Sequence, residues 1–175
     1  ARAIVGGLKD NPKNSDLIKT LQKILDSAEA EATAAKRSAD VVAGASSRSE
    51  GASSQPEYAD ADAQFKSAVS AGASDRSEDK ASAVEHYETA AQKYIESVNS
   101  HALAMLKQGN LNGSARAVTT GLAAAPGHAD LRKTLQEILS GAAASANTAK
   151  LAADASGASG RPEYGDGSAR LKSAD

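Results

Sequence analysis

Residues 1–45 of the chain reappear at 115–159 with a constant offset of 114 and no gap. Twenty-one of the 45 positions are identical. Alanine matches come cheaply in such a chain, but the run LxKTLQxIL at 17–25 and again at 131–139 does not arise by chance. After an eight-residue deletion the copies realign at Pro56-Glu57-Tyr58 with Pro162-Glu163-Tyr164, and at Lys66-Ser67-Ala68 with Lys172-Ser173-Ala174, so all four prolines fall into two equivalent pairs. A long tandem copy points to a repeat architecture, in which each unit buries its apolar face against a neighbour. The chain then holds a first full unit, 1–114, and the first half of a second, 115–175, in one continuous array.

The periodicity within the unit is helical. Val98, Ala102, Met105 and Leu106 lie on one stripe, and Leu111, Ala115, Val118 and Leu122 on another. The break Gly109-Asn110-Leu111-Asn112-Gly113 between them fits a tight antiparallel turn, and Pro126-Gly127 stops the second helix. The residues Ala102, Gly109, Leu111, Ser114, Val118, Gly121 and Pro126 resemble the pattern of the tetratricopeptide repeat, a helix-turn-helix of 34 residues in the family. Ser114 and Gly121 stand where the family usually carries alanine, and Val98 replaces its early tryptophan. The resemblance implies an all-α protein, an elongated α-solenoid of antiparallel helix hairpins that is non-catalytic and acts in protein binding or assembly.

In chain order, 1–10 reads as the second helix of a hairpin. Asn11-Pro12-Lys13-Asn14 is a turn, and Asn14 or Ser15 can cap the next helix. Leu17, Leu21, Ile24, Ala28, Ala32, Ala35, Ala39 and Val42 step by three or four along one long stripe, with the strongest burial expected at its leucine-rich end, Leu17 to Leu25. Gly44 to Gln55 reads as a frayed end and loop. Pro56 opens a helix carrying Tyr58, Phe65 and Val69 to about Ala71. Another runs from Glu78 to about Val98, leading into the next hairpin directly or through a kink near Asn99-Ser100.

Composition limits the core and the partners. With 41% hydrophobic residues but one Phe, four Tyr and no Trp, the chain cannot build a thick aromatic core. Alanine supplies much of the apolar count, and thin seams between close helices follow, which favours a solenoid over a globule. The net charge of -2 is spread without long like-charge runs and gives no support for nucleic acid as a partner. No apolar run approaches the roughly 18 residues of a membrane span, so no membrane insertion is expected. Ala1, without a preceding signal peptide or Met, reads as a processed end or the edge of a fragment. The composition has a bacterial look, compatible with an exported or cell-surface protein.

No chemistry-bearing constellation emerges. His86 sits in VEHYE without a second ligand at i+4 and reads as solvated helix surface, and neither His101 nor His128 lies in an HExxH arrangement. The acid pairs Asp60/Asp62 and Glu78/Asp79 stand at helix beginnings, where carboxylates complement the helix dipole. The glycines fit no phosphate loop and the serines no GxSxG elbow. Asn112-Gly113-Ser114 matches an N-glycosylation acceptor, and the loop Ser46 to Ser54 is a candidate for modification, though a chance match and a plain loop explain them better. No enzyme, cofactor or metal site is therefore expected.

Two functional expectations follow. The unpaired first helix exposes Ile4 and Leu8, and the other end exposes Leu171 and Ala174, so copies of the chain stack head to tail, as a structural protein or filament subunit. Alternatively the chain is an adaptor that holds a partner peptide on a concave face, which the family resemblance places at Asn99, Leu103 and Lys107, or an accessory segment of a larger protein.

Overall fold

The computed structural model describes residues 1–44, 52–156 and residue 170. The described residues are all-helical: α1 (Arg2–Asp10), α2 (Ser15–Gly44), a 3₁₀ turn (Ala52–Ser54), α3 (Pro56–Gly72), α4 (Ser77–Lys107), α5 (Leu111–Ala124) and α6 (Ala129–Ala155). No helix among them is long and apolar enough to cross a membrane.

Helix α4 is the centre of the packing. It touches α1, α2, α3, α5 and α6, whereas α6 meets only α4 and α5, and α1 only α2 and α4. Of the two readings near Asn99-Ser100, direct continuation and a kink, the structure takes the first: α4 is one unbroken helix of 31 residues. Nothing between Ser77 and Lys107 lacks a backbone N–H or favours a left-handed angle, so the hydrogen-bond ladder continues.

The turn after α4 is shorter than the five-residue break read from the sequence. Gly109 takes φ 76°. The Asn110 N–H donates to the Met105 carbonyl at 2.9 Å and the Gly109 N–H to that of Leu106 at 3.0 Å. This is the Schellman closure that a left-handed glycine permits. The Asn110 side chain then accepts from the Gly113 N–H at 2.9 Å and caps α5. Leu111, Asn112 and Gly113 thus belong to the first turn of α5, because a capping asparagine starts the next helix at once.

The crossing of α4 and α5 is close. Ser114 is fully buried, and its hydroxyl donates to the Ala102 carbonyl of α4 at 2.8 Å. A Cβ on Gly121 would lie 2.8 Å from Leu131 and 3.0 Å from Val98. The two copies of the repeat share this geometry. A Cβ on Gly7, the equivalent of Gly121, would meet Leu17, the equivalent of Leu131, at 3.0 Å. The residue closing α1 donates to the Gly7 carbonyl as the one closing α5 donates to that of Gly121. At the start of α2, Asn14 is the cap, accepting from the N–H groups of Asp16 and Leu17 at 3.1 and 3.2 Å.

Burial on α2 extends farther than its leucines. Leu21, Leu25, Ala28, Ala32, Ala35, Ala39 and Val42 are all buried, and Ala32 and Ala39 are wholly inaccessible, while Leu17 and Ile24 are half-buried. The alanine-rich end is therefore the tighter half of the seam, because a methyl side chain lets α4 approach closely. Against the other side of α4 lies α3, joined to it by Phe65 edge-on to Tyr87 and Tyr58 edge-on to Tyr94, both at 5.3 Å between ring centres. The spacing 58/65 on one helix and 87/94 on the other is seven residues, which keeps each pair on one face.

Two glycine substitutions test this packing. Gly121→Ala inserts a methyl group against the buried Leu131 and Val98 and lowers stability by about 1–3 kcal/mol. Gly6→Ala, in an exposed helix position with nothing within 4 Å of the new Cβ, raises it by about 0.5–1 kcal/mol. Urea unfolding of the two variants measures both.

Candidate assembly interface

The repeat makes a residue-by-residue comparison possible between α2 and α6. Six identical pairs, Leu21/Leu135, Leu25/Leu139, Ala28/Ala142, Ala32/Ala146, Ala35/Ala149 and Ala39/Ala153, form the same stripe on each helix. On α2 all six are buried in the clusters around α4. On α6 none is buried, and Leu139 is 61% exposed where Leu25 is 4% exposed. Leu151, 68% exposed, adds to the uncovered surface of α6.

A second set of identical pairs behaves in the opposite way. Leu131, Thr134 and Ile138 of α6 are buried beside α4 and α5. Their equivalents on α2, Leu17, Thr20 and Ile24, are half-buried or exposed, and Ile18 beside them is 47% exposed. On α2 the first stripe is covered and the second only in part, with Leu17 and Ile24 packed at the edge of the clusters, whereas on α6 the second is covered and the first largely exposed. The cause is position relative to α4: its first half lies on α2 and its second half reaches α5 and α6.

Of the expected contact residues at the first end, Ile4 is half-buried. Leu8 is 5% exposed, which corrects the expectation that it lies on an open stripe. It packs in a cluster with Val5, Leu21 and Ala81, because α1 docks on both α2 and the start of α4. The Arg2 guanidinium, bound to the Glu85 carboxylate at 2.5 and 3.0 Å, ties α1 to α4 at the surface. Leu171 and Ala174 lie outside the described residues, as do positions 46–51 of the candidate loop.

The expected concave-face residues are separated by four along α4. Asn99 is half-buried, its side-chain oxygen accepting from the Thr134 hydroxyl of α6 at 2.8 Å, so it serves internal packing. Leu103 is half-buried and Lys107 exposed. His86, read as solvated, is half-buried, with Nδ1 2.7 Å from the Gln64 Oε1 of α3. Among the described residues no group of three His, Asp or Glu is placed to hold a metal.

The polar centre of the molecule is a cluster that sequence reading missed. The Lys36 ammonium of α2 donates to the Tyr58 hydroxyl and the Asp62 carboxylate of α3, both at 2.9 Å. It lies 5.0 and 5.1 Å from the ring centres of Tyr58 and Tyr94. Tyr58 donates in turn to Asp40, and Tyr94 to Asp62. Burial alone would lower the Lys36 pKa, but its bonds to Tyr58 and Asp62 outweigh that and raise it. Burial likewise pushes the Asp62 carboxyl up, and the bonds from Tyr94 and Lys36 overcome this and hold it below the usual carboxylate range. Burial and the bond to Asp62 raise the Tyr94 phenol. With cations, carboxylates and phenols satisfying one another, the arrangement clamps α2, α3 and α4 rather than presenting a reactive group. The Lys36/Asp40 spacing was readable as a helical i,i+4 pair, and it recurs as Lys150/Asp154, 3.1 Å apart on α6.

The depressed Asp62 pKa gives stability that is present above about pH 4, the unfolded carboxylate value, and is lost as pH falls through the folded value. The raised Lys36 pKa gives stability that is complete below about pH 10.4 and is lost only at more alkaline pH. Asp62→Asn is expected to flatten the acid limb of the stability curve below about pH 4 and to cost about 0.5–1 kcal/mol at neutral pH, since a third of each partner side chain is wet. Urea unfolding across pH 2–8 checks both. No protein-family model, curated protein or solved structure matches the chain.

Proposed function

We propose that the chain is a non-catalytic scaffold: an α-solenoid of tetratricopeptide-like hairpins that joins further copies head to tail through end faces its own fold leaves uncovered. The unequal burial of identical stripes carries this reading. Leu139 and Leu151 on α6 and Ile18 on α2 leave apolar surface at both ends of the helix array, which a neighbouring copy would cover. Contacts between two different faces of the same molecule build open fibres unless the rotation closes a ring. The adaptor reading is weaker, because Asn99 is already held by Thr134. A groove lined by Glu31, Ala35, Ala91, Gln92, Ile95 and His128 would be the place for a peptide, and it carries no lysine, arginine, tyrosine or phenylalanine to anchor one.

Sedimentation velocity tests the scaffold reading. The chain is expected to grow in mass with concentration, and Ile18→Glu or Leu139→Glu, each at an exposed position, is expected to weaken association tenfold or more. A mixture of the two variants retains one intact contact and stops at the dimer. A chain that stays monomeric at the highest soluble concentration overturns the proposal.

A further inference from the structure

The start of α5 holds the chain's single Asn-Gly pair, Asn112-Gly113. Such a pair is chemically labile, because glycine puts no side chain in the way of ring closure onto its nitrogen. Once a hydroxide ion has taken the proton of the Gly113 amide, that nitrogen adds to the Cγ of the Asn112 side chain. The side-chain nitrogen leaves as ammonia, taking a proton from water and so returning the hydroxide. A cyclic imide remains, and water opens it at one carbonyl or the other. One opening leaves aspartate at 112, and the other leaves isoaspartate, in which the main chain runs through the side-chain carbon.

The local structure holds this reaction back. The Gly113 N–H belongs to the first turn of α5, where the helix itself offers no carbonyl to receive it. The Asn110 side chain supplies the acceptor at 2.9 Å, and the Asn110 carbonyl takes the N–H of Ser114 at 3.0 Å. The proton that must leave is therefore engaged, and ring closure also requires the backbone at Asn112 to turn out of the helical angles it holds within α5. Asn112 itself is exposed, so water and base reach it whenever the turn opens. Glycine at 113 is imposed by the same cap. A Cβ there would lie 2.5 Å from the Asn110 Nδ2 and 2.8 Å from the Met105 Sδ, and would push the capping side chain aside. The residue that makes the bond labile is thus the one that lets the protecting cap form.

We propose that Asn112 is a self-modification site gated by the Asn110 cap: closed while the first turn of α5 is folded, and converted to aspartate or isoaspartate when that turn opens. Water is the sole co-reactant. The inference stands independently of the scaffold reading. Its two products have different consequences. Aspartate preserves the main chain and places a carboxylate in the first turn of α5, where it complements the helix dipole. Isoaspartate inserts a methylene group into the main chain ahead of Gly113. That moves the Gly113 N–H out of line with Asn110 and draws the Ser114 hydroxyl away from the Ala102 carbonyl of α4, its partner at 2.8 Å. Ser114 is wholly buried at the crossing of α4 and α5, so this product loosens the hairpin, and refolding does not undo it.

The test incubates the full chain in mildly alkaline buffer, folded and in guanidinium chloride, and follows conversion of Asn112 by mass-spectrometric peptide mapping. The unfolded chain is expected to convert roughly tenfold or more faster than the folded one, because the closed turn must first open. Asn110→Ala is expected to speed the folded chain about fivefold, the factor by which loss of an N-cap typically favours opening of a helix end. Asn110→Ser retains an acceptor and is expected to hold the rate within about twofold of the original. In urea unfolding, the Asn112→Asp variant is expected to match the unmodified chain, whereas the purified isoaspartate form unfolds at lower urea. Equal rates for the folded and unfolded chains overturn the inference, and so does an Asn110→Ala variant that converts no faster than the original. An isoaspartate form as stable as the Asn112→Asp variant overturns the consequence drawn for the hairpin.

Discussion

One unbroken helix holds the molecule together. Every other helix among the described residues packs against α4, and α2 and α6 do not touch each other at all. The packing that permits this is a seam of small side chains, with Ala32 and Ala39 of α2, Ala61 and Ala68 of α3 and Ala83 and Ala90 of α4 all wholly inaccessible. Alanine contributes little transfer free energy per residue, so such a seam stabilises through close approach and many dispersion contacts rather than through bulk. It also tolerates little change: a larger side chain at any of these positions must separate two long helices along their length.

A seam of methyl groups specifies register poorly, because one alanine resembles the next. The Lys36 cluster supplies what the seam lacks. Its ammonium must meet Tyr58 and Asp62 on α3 while lying over Tyr94 on α4, and a slide of α2 by one turn would break every one of these contacts. A partly buried cation left without its carboxylate is costly, so the cluster favours one alignment of three helices over its neighbours. The edge-on pairs Phe65/Tyr87 and Tyr58/Tyr94 act in the same direction on α3 and α4.

Much of this was legible in the sequence, and the misses have physical causes. The long stripe of α2 was readable because its period is unambiguous, as were the hairpin of α4 and α5 and the shared geometry of its copy at the start of the chain. The depth of the alanine end was not, since hydrophobicity scales rank alanine low and closeness of approach is a property of two helices together. Leu8 was expected outside because the sequence reads α1 as half of a hairpin; that α1 docks on the first half of α4, through Val5, Leu8 and Ala81, is a tertiary fact. The aromatic pairs did leave a signal, the matched spacing of seven on two helices, but few aromatic residues in the composition argued against looking for a cluster. The candidate interface lay in between. The identity of the two stripes is plain in the repeat, but which stripe is bare on which helix depends on where α4 ends up.

That dependence separates two properties usually read together. Leu25 and Leu139 are the same residue in the same local sequence on helices of the same local geometry, yet one is inside and the other outside. Local sequence makes a face apolar; only the position of a third helix makes it core. A fully covered Leu contributes about 1.5–3 kcal/mol relative to an exposed one, so the α6 face forgoes in the isolated chain a stabilisation that the α2 face enjoys. The Lys/Asp pair repeats beside both stripes, as Lys36/Asp40 on α2 and Lys150/Asp154 on α6, so the two copies differ in burial and not in local chemistry.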